Sequence, residues 1–232
     1  QPGRAIFHVL PARQMPPVEL VLRIIEFAEL LVGADILLTS SRPSALTKLG
    51  LGWDALHAAH PWLVHVAIVG HPGDEAEIAG HDLTYQAVTG LLGEGSMPST
   101  LVVDLAGSER AAAEAAAALV ARSRTGEGVR REVALSDVSQ TIAGPLLHGL
   151  TAPGALLGGG LPVYAVYDTA DRPIALAALE PHFTARLLEV LGIAPEELSR
   201  ERLAEVFATR TADEWATWAA EHDVPLAPLR ST

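Results

Sequence analysis

Three side chains that could exchange protons lie beside apolar segments or at predicted helix starts: His81, Asp104 and Glu180. Asp104 ends the apolar run 101–103 just before a predicted helix, where burial would raise its pKa and the helix N-terminus would lower it. Glu180 follows the apolar run 174–179 and precedes a proline. Imidazole and carboxylate groups are common general acids and bases. Each residue also has a structural interpretation, because all three positions suit the start of a helix.

Several other kinds of chemistry are excluded by what the sequence lacks. It contains no cysteine, which excludes disulfides, thiolate nucleophiles and cysteine-ligated zinc or iron–sulfur sites. The GxGxxG, GxxxxGKS/T and GxSxG motifs are also absent, so no standard nucleotide-cofactor or hydrolase motif is present. Among the nine histidines, His57 and His60 have close spacing but cross from a predicted helix into a loop, so we predict no metal site.

The composition predicts a folded, acidic protein. The 232 residues include 16 basic and 28 acidic side chains, which gives a net charge of -12, and the mean hydropathy is +0.27. Such a charge disfavours nucleic acid and anionic membrane surfaces as partners. The longest stretch without charged residues, 138–167, contains prolines and the run GGG and predicts no membrane span. The first residues, QPGR, lack the layout of a signal peptide, which together with the absence of cysteine indicates a cytoplasmic protein.

Hydrophobic periodicity predicts alternating helices and strands over the first 150 residues. The predicted elements are helices at 17–32, 53–59, 81–92, 108–124 (capped by Ser108) and 137–150, and strands at 34–39, 63–69 and 131–135. This alternation predicts a large α/β domain with a doubly wound parallel sheet over residues 1–150, carrying His81 and Asp104.

A linker at 151–161 is predicted to lead into a smaller α+β domain, so that the second domain spans 151–232. A hairpin of strands 163–167 and 174–178 begins this domain, and helices are predicted at 181–191, 200–208 and 211–221. Glu180 lies in this second domain.

Several short motifs along the chain resemble, in the same order, those of one known family. Residues 79–85 read AGHDLTY, and residues 178–183 read ALEPHF. The other matching segments are ADILL at 34–38, RP at 42–43, LGLGWDAL at 49–56, VDLAG at 103–107, RTGEG at 124–128 and GGGLPVYAVY at 158–167. These segments resemble the family III CoA-transferase (CaiB/BaiF-type) superfamily, and most of all its α-methylacyl-CoA racemases, whose motifs AGHDINY and AIEPQF are similar to residues 79–85 and 178–183.

This resemblance implies a racemase-like enzyme that epimerises a 2-methylacyl-CoA through an enolate. His81 and Asp104 would stand on opposite faces of the α-carbon, one removing the proton and the other returning it. Glu180 would hydrogen-bond His81 and orient it, and backbone donors near the helix start at Asp104 would hold the enolate oxygen. No cofactor is implied beyond the coenzyme A that forms part of the substrate.

The resemblance also implies contacts for coenzyme A and an assembly. Arg42 and Lys48 would meet its phosphates, and Asp82 and Tyr85, in the motif that carries His81, would contact the substrate or coenzyme A. The family forms interlocked homodimers, in which Glu180 of one subunit would complete the site of the other.

Two alternatives stay open. The first is a family III CoA transferase that uses Asp104 as a covalent nucleophile. The second is an inactive paralogue or partner subunit that binds without turnover. Two departures from the family favour the second: almost none of the family's N-terminal segment precedes Val18, and the loop 69–75 reads VGHPGDE where the family has TGWGQTGPR. A further departure is Lys48, which stands where the family has an arginine of the phosphate-binding region.

Overall fold

The structure is a computed structural model, and it describes residues 5–7, 27–95 and 97–230. The chain divides into two compact units, Gln1–Gly144 and Pro145–Thr232. The boundary between the units falls a few residues before the predicted division of the chain into 1–150 and 151–232.

In the residues that the structure describes, the first unit contains four parallel strands, which pair in one sheet in their order along the chain. Its strands are β1 (Ala5–Phe7), β2 (Ile36–Thr39), β3 (Val64–Val69) and β4 (Arg130–Ala134). The continuous apolar run of β3 is buried along almost its whole length, as expected for a parallel strand covered on both faces. Within the described residues the strand order runs in one direction, so the doubly wound arrangement, which needs a reversal, stays a prediction.

Helices connect these strands. They are α1 (Pro43–Lys48), α2 (Trp53–Ala59), α3 (Asp82–Thr89), α4 (Val102–Thr125) and α5 (Leu135–Ile142), followed by the short α6 (Gly144–Leu147). Residues 27–32 are also helical, whereas residues 17–26 of the predicted first helix lie outside the described residues. In the part of the chain described here, no helix is long and apolar enough to cross a membrane.

Small residues let α4 pack closely on the sheet. Ala111 and Ala118 are buried on its inner face, in a core that also contains Val66 of β3 and Val133 of β4. The first turn of α4, which carries Asp104, is anchored in the same core through the fully buried Val103. The packing of α4 therefore sets the position of Asp104.

Three predicted helices differ from those in the structure. The helix predicted at 81–92 is α3, which ends at Thr89, and Gly90 follows it in the left-handed conformation. Helix α4 begins at Val102 rather than at Ser108, whose hydroxyl donates to the carbonyl oxygen of Asp104 one turn earlier inside the helix. The predicted helix 137–150 is instead the two helices α5 and α6. Pro145 explains the interruption, because proline has no N–H to donate to the preceding turn.

The second unit contains a three-stranded antiparallel sheet in the order β5-β6-β7, with three helices. The hairpin of β5 (Tyr164–Tyr167) and β6 (Ile174–Ala177) was predicted, whereas β7 (Leu226–Pro228) was not. The helices α7 (Pro181–Leu191), α8 (Arg200–Phe207) and α9 (Ala212–His222) lie close to their predicted bounds. The mixed α/β architecture predicted from the sequence is confirmed.

Candidate active site

A cavity of about 540 Å³ lies at the carboxyl edge of the parallel sheet in the first unit. Its walls include residues that come directly after three of the strands. Ser41 and Arg42 follow β2, Gly70 follows β3 and Leu135 follows β4. Parallel α/β sheets commonly bind ligands at this edge, and the volume is typical of a small-molecule site. The cavity is therefore the candidate active site.

Four of the residues predicted from the sequence line this one cavity: Arg42, His81, Tyr85 and Asp104. His81 is the N-cap residue of α3, Tyr85 lies one turn further along that helix, and Asp104 lies in the first turn of α4. The backbone N–H of His81 donates to the hydroxyl oxygen of Thr84 at 3.0 Å, and its side chain is exposed. An imidazole and a carboxylate thus reach the cavity from different helices.

Asp82 lies beneath the cavity rather than on its wall. It is 2% exposed, and its Oδ1 accepts hydrogen bonds from the backbone N–H groups of Val103 at 2.7 Å and Asp104 at 3.1 Å. Its Oδ2 accepts a hydrogen bond from Gln86. Asp82 therefore caps helix α4 from a distant part of the chain, and direct contact with a ligand, as predicted for it, does not fit this buried position.

This cap uses backbone donors near the start of α4, where the enolate oxygen was expected to be held, and that expectation stays a prediction. The N–H groups of Val103 and Asp104 already donate to Asp82, and the N–H of Leu105 donates to the carbonyl oxygen of Leu101. These three backbone donors are engaged within the protein.

The Asp104 carboxyl group has a raised pKa. Burial is the main cause, and the negative charge of Asp82 adds to it, whereas His81 acts in the opposite direction. A raised pKa increases the protonated fraction near neutral pH, so that Asp104 can serve as an acid as well as a base.

Tyr85 is 4% exposed, and its hydroxyl oxygen is buried without a hydrogen-bond partner in the part of the chain that the structure describes. A Cβ atom placed on Gly70 would lie 2.6 Å from this oxygen, and one placed on Gly80 would also collide with it. The ring of His71 packs edge-on against the Tyr85 ring, with the centroids 5.6 Å apart. No local pattern points to the role of Gly70, because this role depends on Tyr85, which lies in another segment of the chain.

An acidic side chain lies close to the predicted phosphate-binding cations. The Glu77 carboxylate accepts hydrogen bonds from the backbone N–H of Ser44 at 2.7 Å and from its hydroxyl at 2.8 Å. These bonds are the main reason that the pKa of Glu77 is lowered, and the charges of Arg42 and Lys48 contribute. Arg42 lines the cavity, whereas Lys48 ends α1 and is exposed.

Glu180 lies in the second unit, at the N-cap of α7. Its side chain is exposed and makes no capping hydrogen bond. Its predicted contact with His81 stays a prediction. Among the described residues, no group of three His, Asp or Glu side chains is placed to hold a metal ion.

Known proteins are similar to this chain over most of its length. The human alpha-methylacyl-CoA racemase is 31% identical over 225 residues, which cover 84% of this chain and 59% of the racemase. The acetyl-CoA:oxalate CoA-transferase of Acetobacter aceti is 28% identical over 195 residues, which cover 77% of this chain and 50% of that enzyme. This chain thus spans about three fifths of the racemase and half of the transferase.

The fold also matches solved structures. A CaiB/BaiF family protein from Brucella suis superposes with a TM-score of 0.70 at 23% identity, over 94% of this chain and 65% of that structure. The family model described as CoA-transferase family III matches residues 26–232. The resemblance inferred from the short motifs is confirmed, and the chain belongs to CoA-transferase family III.

Proposed function

We propose that this family member moves the α-proton of a 2-methylacyl-CoA and thereby interconverts its two epimers. The observation that carries the proposal is that His81 and Asp104 line one cavity from two different helices. Epimerisation needs a proton acceptor on one face of the α-carbon and a donor on the other. The identity to the human racemase supports the same reaction class.

In the proposed reaction, either His81 or Asp104 removes the α-proton. The electron pair of the broken C–H bond forms a C=C bond, and the carbonyl π electrons move to oxygen, which gives an enolate. The other residue then delivers a proton to the opposite face, and the electrons return to restore the thioester carbonyl. Asp104 can act in both directions of the epimerisation, as the base in one and as the acid in the other, because its raised pKa keeps a protonated form accessible.

Substrate binding and assembly are part of the proposal. Arg42 and Lys48 bind the phosphates of coenzyme A, which enters as part of the substrate, and no separate cofactor is required. The working enzyme is an interlocked homodimer, in which Glu180 orients His81 through its charge. Binding of the phosphates would have to displace or reorganise the nearby Glu77 carboxylate, because like charges at this distance repel.

A CoA transferase is the second candidate, and the exposure of Asp104 to the cavity favours it. In that reaction the Asp104 carboxylate attacks the thioester carbonyl carbon. The C–S bond breaks, and coenzyme A leaves as the thiolate, so that a mixed anhydride remains on Asp104. The thiolate then attacks the Asp104 carbonyl carbon of the anhydride, which releases the first acid as a carboxylate and leaves a thioester on Asp104. The carboxylate of a second acid attacks this thioester and expels the thiolate again, and the thiolate attacks the acyl carbon of the new anhydride, which forms the new acyl-CoA and frees Asp104. The identity to the Acetobacter aceti transferase is compatible with this chemistry.

A protein that binds without turnover is the third candidate. The Glu77 carboxylate beside Arg42 and Lys48 favours it, because it places a negative charge where a polyanionic substrate needs positive charge.

The three candidates are separated by incubating the purified protein with a 2-methylacyl-CoA in deuterium oxide. A racemase incorporates deuterium at the α-carbon and converts each epimer into the other. A transferase leaves the α-proton in place but exchanges coenzyme A with an added carboxylic acid. A protein that only binds does neither.

A further inference from the structure

We propose that the hydroxyl group of Tyr85 donates a hydrogen bond to the thioester carbonyl oxygen of the substrate and stabilises the enolate that forms there. This inference rests on the proposed α-proton transfer and names the donor that the reaction requires. An enolate places negative charge on the carbonyl oxygen, and a fixed donor at that position lowers the barrier.

The first support is the missing partner of the Tyr85 hydroxyl. In the described part of the chain, five buried side-chain polar atoms have no hydrogen-bond partner: His57 Nδ1, His60 Nδ1, His65 Nδ1, Tyr85 Oη and Ser136 Oγ. Of these residues, Tyr85 is the one that lines the cavity containing His81 and Asp104. A buried hydroxyl without a partner is unfavourable, and an acceptor on a bound ligand would satisfy it.

The second support is that the hydroxyl is held in place. The Tyr85 ring belongs to the buried core beneath the cavity, together with Val66 and Val103. The backbone is anchored as well, since the carbonyl oxygen of Tyr85 accepts hydrogen bonds from the hydroxyls of Thr89 at 2.9 Å and Ser139 at 3.0 Å. A donor that is fixed before the reaction needs no reorganisation as charge develops.

The third support comes from the space around the oxygen. Gly70 and Gly80 lie so close that a methyl group on either residue would collide with the hydroxyl oxygen. The segments that carry these glycines both line the cavity. Their lack of side chains leaves room for the hydroxyl oxygen between two segments that line the cavity.

The fourth support concerns the proton itself. Burial raises the pKa of Tyr85, and the negative charge of Asp104 raises it further. The phenol therefore keeps its proton at neutral pH and acts as a donor rather than as a base. Near the start of α4, the N–H groups of Val103 and Asp104 donate to Asp82 and are engaged within the protein.

The chemistry needs no additional reactant. When His81 or Asp104 removes the α-proton, the carbonyl oxygen gains the electron pair of the former π bond. The Tyr85 hydroxyl keeps its O–H bond and strengthens its hydrogen bond to this oxygen. When the α-carbon is reprotonated, the charge leaves the oxygen and the hydrogen bond returns to its initial strength.

The test compares Tyr85→Phe with Tyr167→Phe. Both variants remove one tyrosine hydroxyl, but that of Tyr167 donates to the carbonyl oxygen of Pro162 in the second unit. The probe is pivaloyl-CoA labelled with ¹³C at the thioester carbonyl, which has no α-proton and cannot react by proton transfer. Isotope-edited infrared spectroscopy then reports the hydrogen bonding of the bound carbonyl group.

We expect the carbonyl band of the bound probe to lie at lower frequency in the parent protein and in Tyr167→Phe than in Tyr85→Phe. With a 2-methylacyl-CoA, Tyr85→Phe should exchange the α-proton about 10²- to 10³-fold more slowly, as after loss of one oxyanion donor. An unchanged band in Tyr85→Phe overturns the inference, whatever the exchange rate.

The same experiment separates this inference from the proposed function. A parent protein that binds the probe with a lowered band but exchanges no α-proton supports the Tyr85 contact and contradicts the racemase reaction. If the parent protein exchanges the α-proton but the carbonyl band is the same in Tyr85→Phe, the racemase reaction is supported and the Tyr85 contact is contradicted. Failure to bind pivaloyl-CoA at millimolar concentration overturns both.

If Tyr85→Phe unfolds, a second variant keeps the contact testable. The hydroxyl of 3-fluorotyrosine at position 85 is a stronger hydrogen-bond donor and should lower the frequency of the carbonyl band further. An unchanged band overturns the contact.

Discussion

The backbone N–H of Asp104 donates a 3.1 Å hydrogen bond to the buried carboxylate of Asp82, which lies 22 residues earlier in the chain. This contact fixes the first turn of α4 against the start of α3, the helix at which His81 lies. It also places a second negative charge beside the Asp104 carboxyl group and raises its pKa. Burial is the main cause of that raised pKa, and Asp82 adds to it while it also holds the first turn of α4 in place.

Replacing Asp82 by alanine should destabilise the protein. The N–H groups of Val103 and Asp104 would lose their acceptor, and an unsatisfied buried polar group costs about 1–3 kcal/mol in the free energy of unfolding. Denaturant titration measures this change. Asp82→Asn is the matched control, because its amide oxygen can still cap the helix. Equal stability of Asp82→Ala and the parent would show that the cap is not needed.

Asp104→Asn should have the opposite effect on stability. Because the pKa of Asp104 is raised in the folded state, its charged form is disfavoured there, and removing the charge should increase the free energy of unfolding at neutral pH. The gain should shrink as the pH falls through the raised pKa, since a protonated Asp104 carries no charge. Thermal unfolding at several pH values tests this. A variant that is less stable than the parent at neutral pH contradicts the raised pKa.

The main elements of the site could be predicted from the sequence because they follow local patterns. Buried apolar runs predicted β2 and β3, and short motifs pointed to His81, Tyr85 and Asp104, which line one cavity. Ser108 has the residue type of a helix cap, but the true cap of α4 is Asp82, whose partners lie 21 and 22 residues away. No local pattern reports such a distant contact.

The elements that the sequence missed are also explained by contacts between segments. Strand β7 has only three residues and ends in Pro228, which the sheet tolerates because β7 is an edge strand. The role of Gly70 depends on the position of the Tyr85 hydroxyl, which belongs to another segment. Neither feature can be predicted without knowing which segments lie together in the folded protein.

His65 should make the protein sensitive to acid. It is 2% exposed, its Nε2 lies 2.9 Å from the Thr39 hydroxyl, and burial, with a smaller effect of the Arg130 charge, lowers its pKa to about 4. The unfolded chain binds this proton near its ordinary pKa of about 6.5, so stability should fall by about 3 kcal/mol as the pH drops from neutral to about 4.

The measurement is denaturant unfolding across this pH range in His65→Gln and in the control His148→Gln. His65→Gln should lose part of the pH dependence, because glutamine does not titrate, whereas the exposed His148 should make little difference. Identical pH profiles for the parent and His65→Gln would contradict the lowered pKa.

Gly70→Ala should destabilise the first unit through its contact with Tyr85. An added Cβ atom would lie 2.6 Å from the Tyr85 hydroxyl oxygen and 3.2 Å from the carbonyl oxygen of Ile78, so the ring must move. In a Tyr85→Phe background the closest clash is removed, and the loss of stability caused by Gly70→Ala should be smaller. A double-mutant cycle of unfolding free energies measures this coupling. Additive effects would contradict the close approach.

The most direct test of the proposed function is exchange of the α-proton in deuterium oxide, measured from each epimer of a 2-methylacyl-CoA with the parent protein, His81→Ala and Asp104→Ala. His148→Ala serves as the control, because it removes an exposed histidine of the second unit. The parent and the control should incorporate deuterium and interconvert the epimers. Each of the other variants should lose interconversion by a factor of about 10² to 10⁴, the usual contribution of one general acid or base. If His81→Ala exchanges and inverts both epimers at the parent rate, the pairing of His81 with Asp104 is wrong.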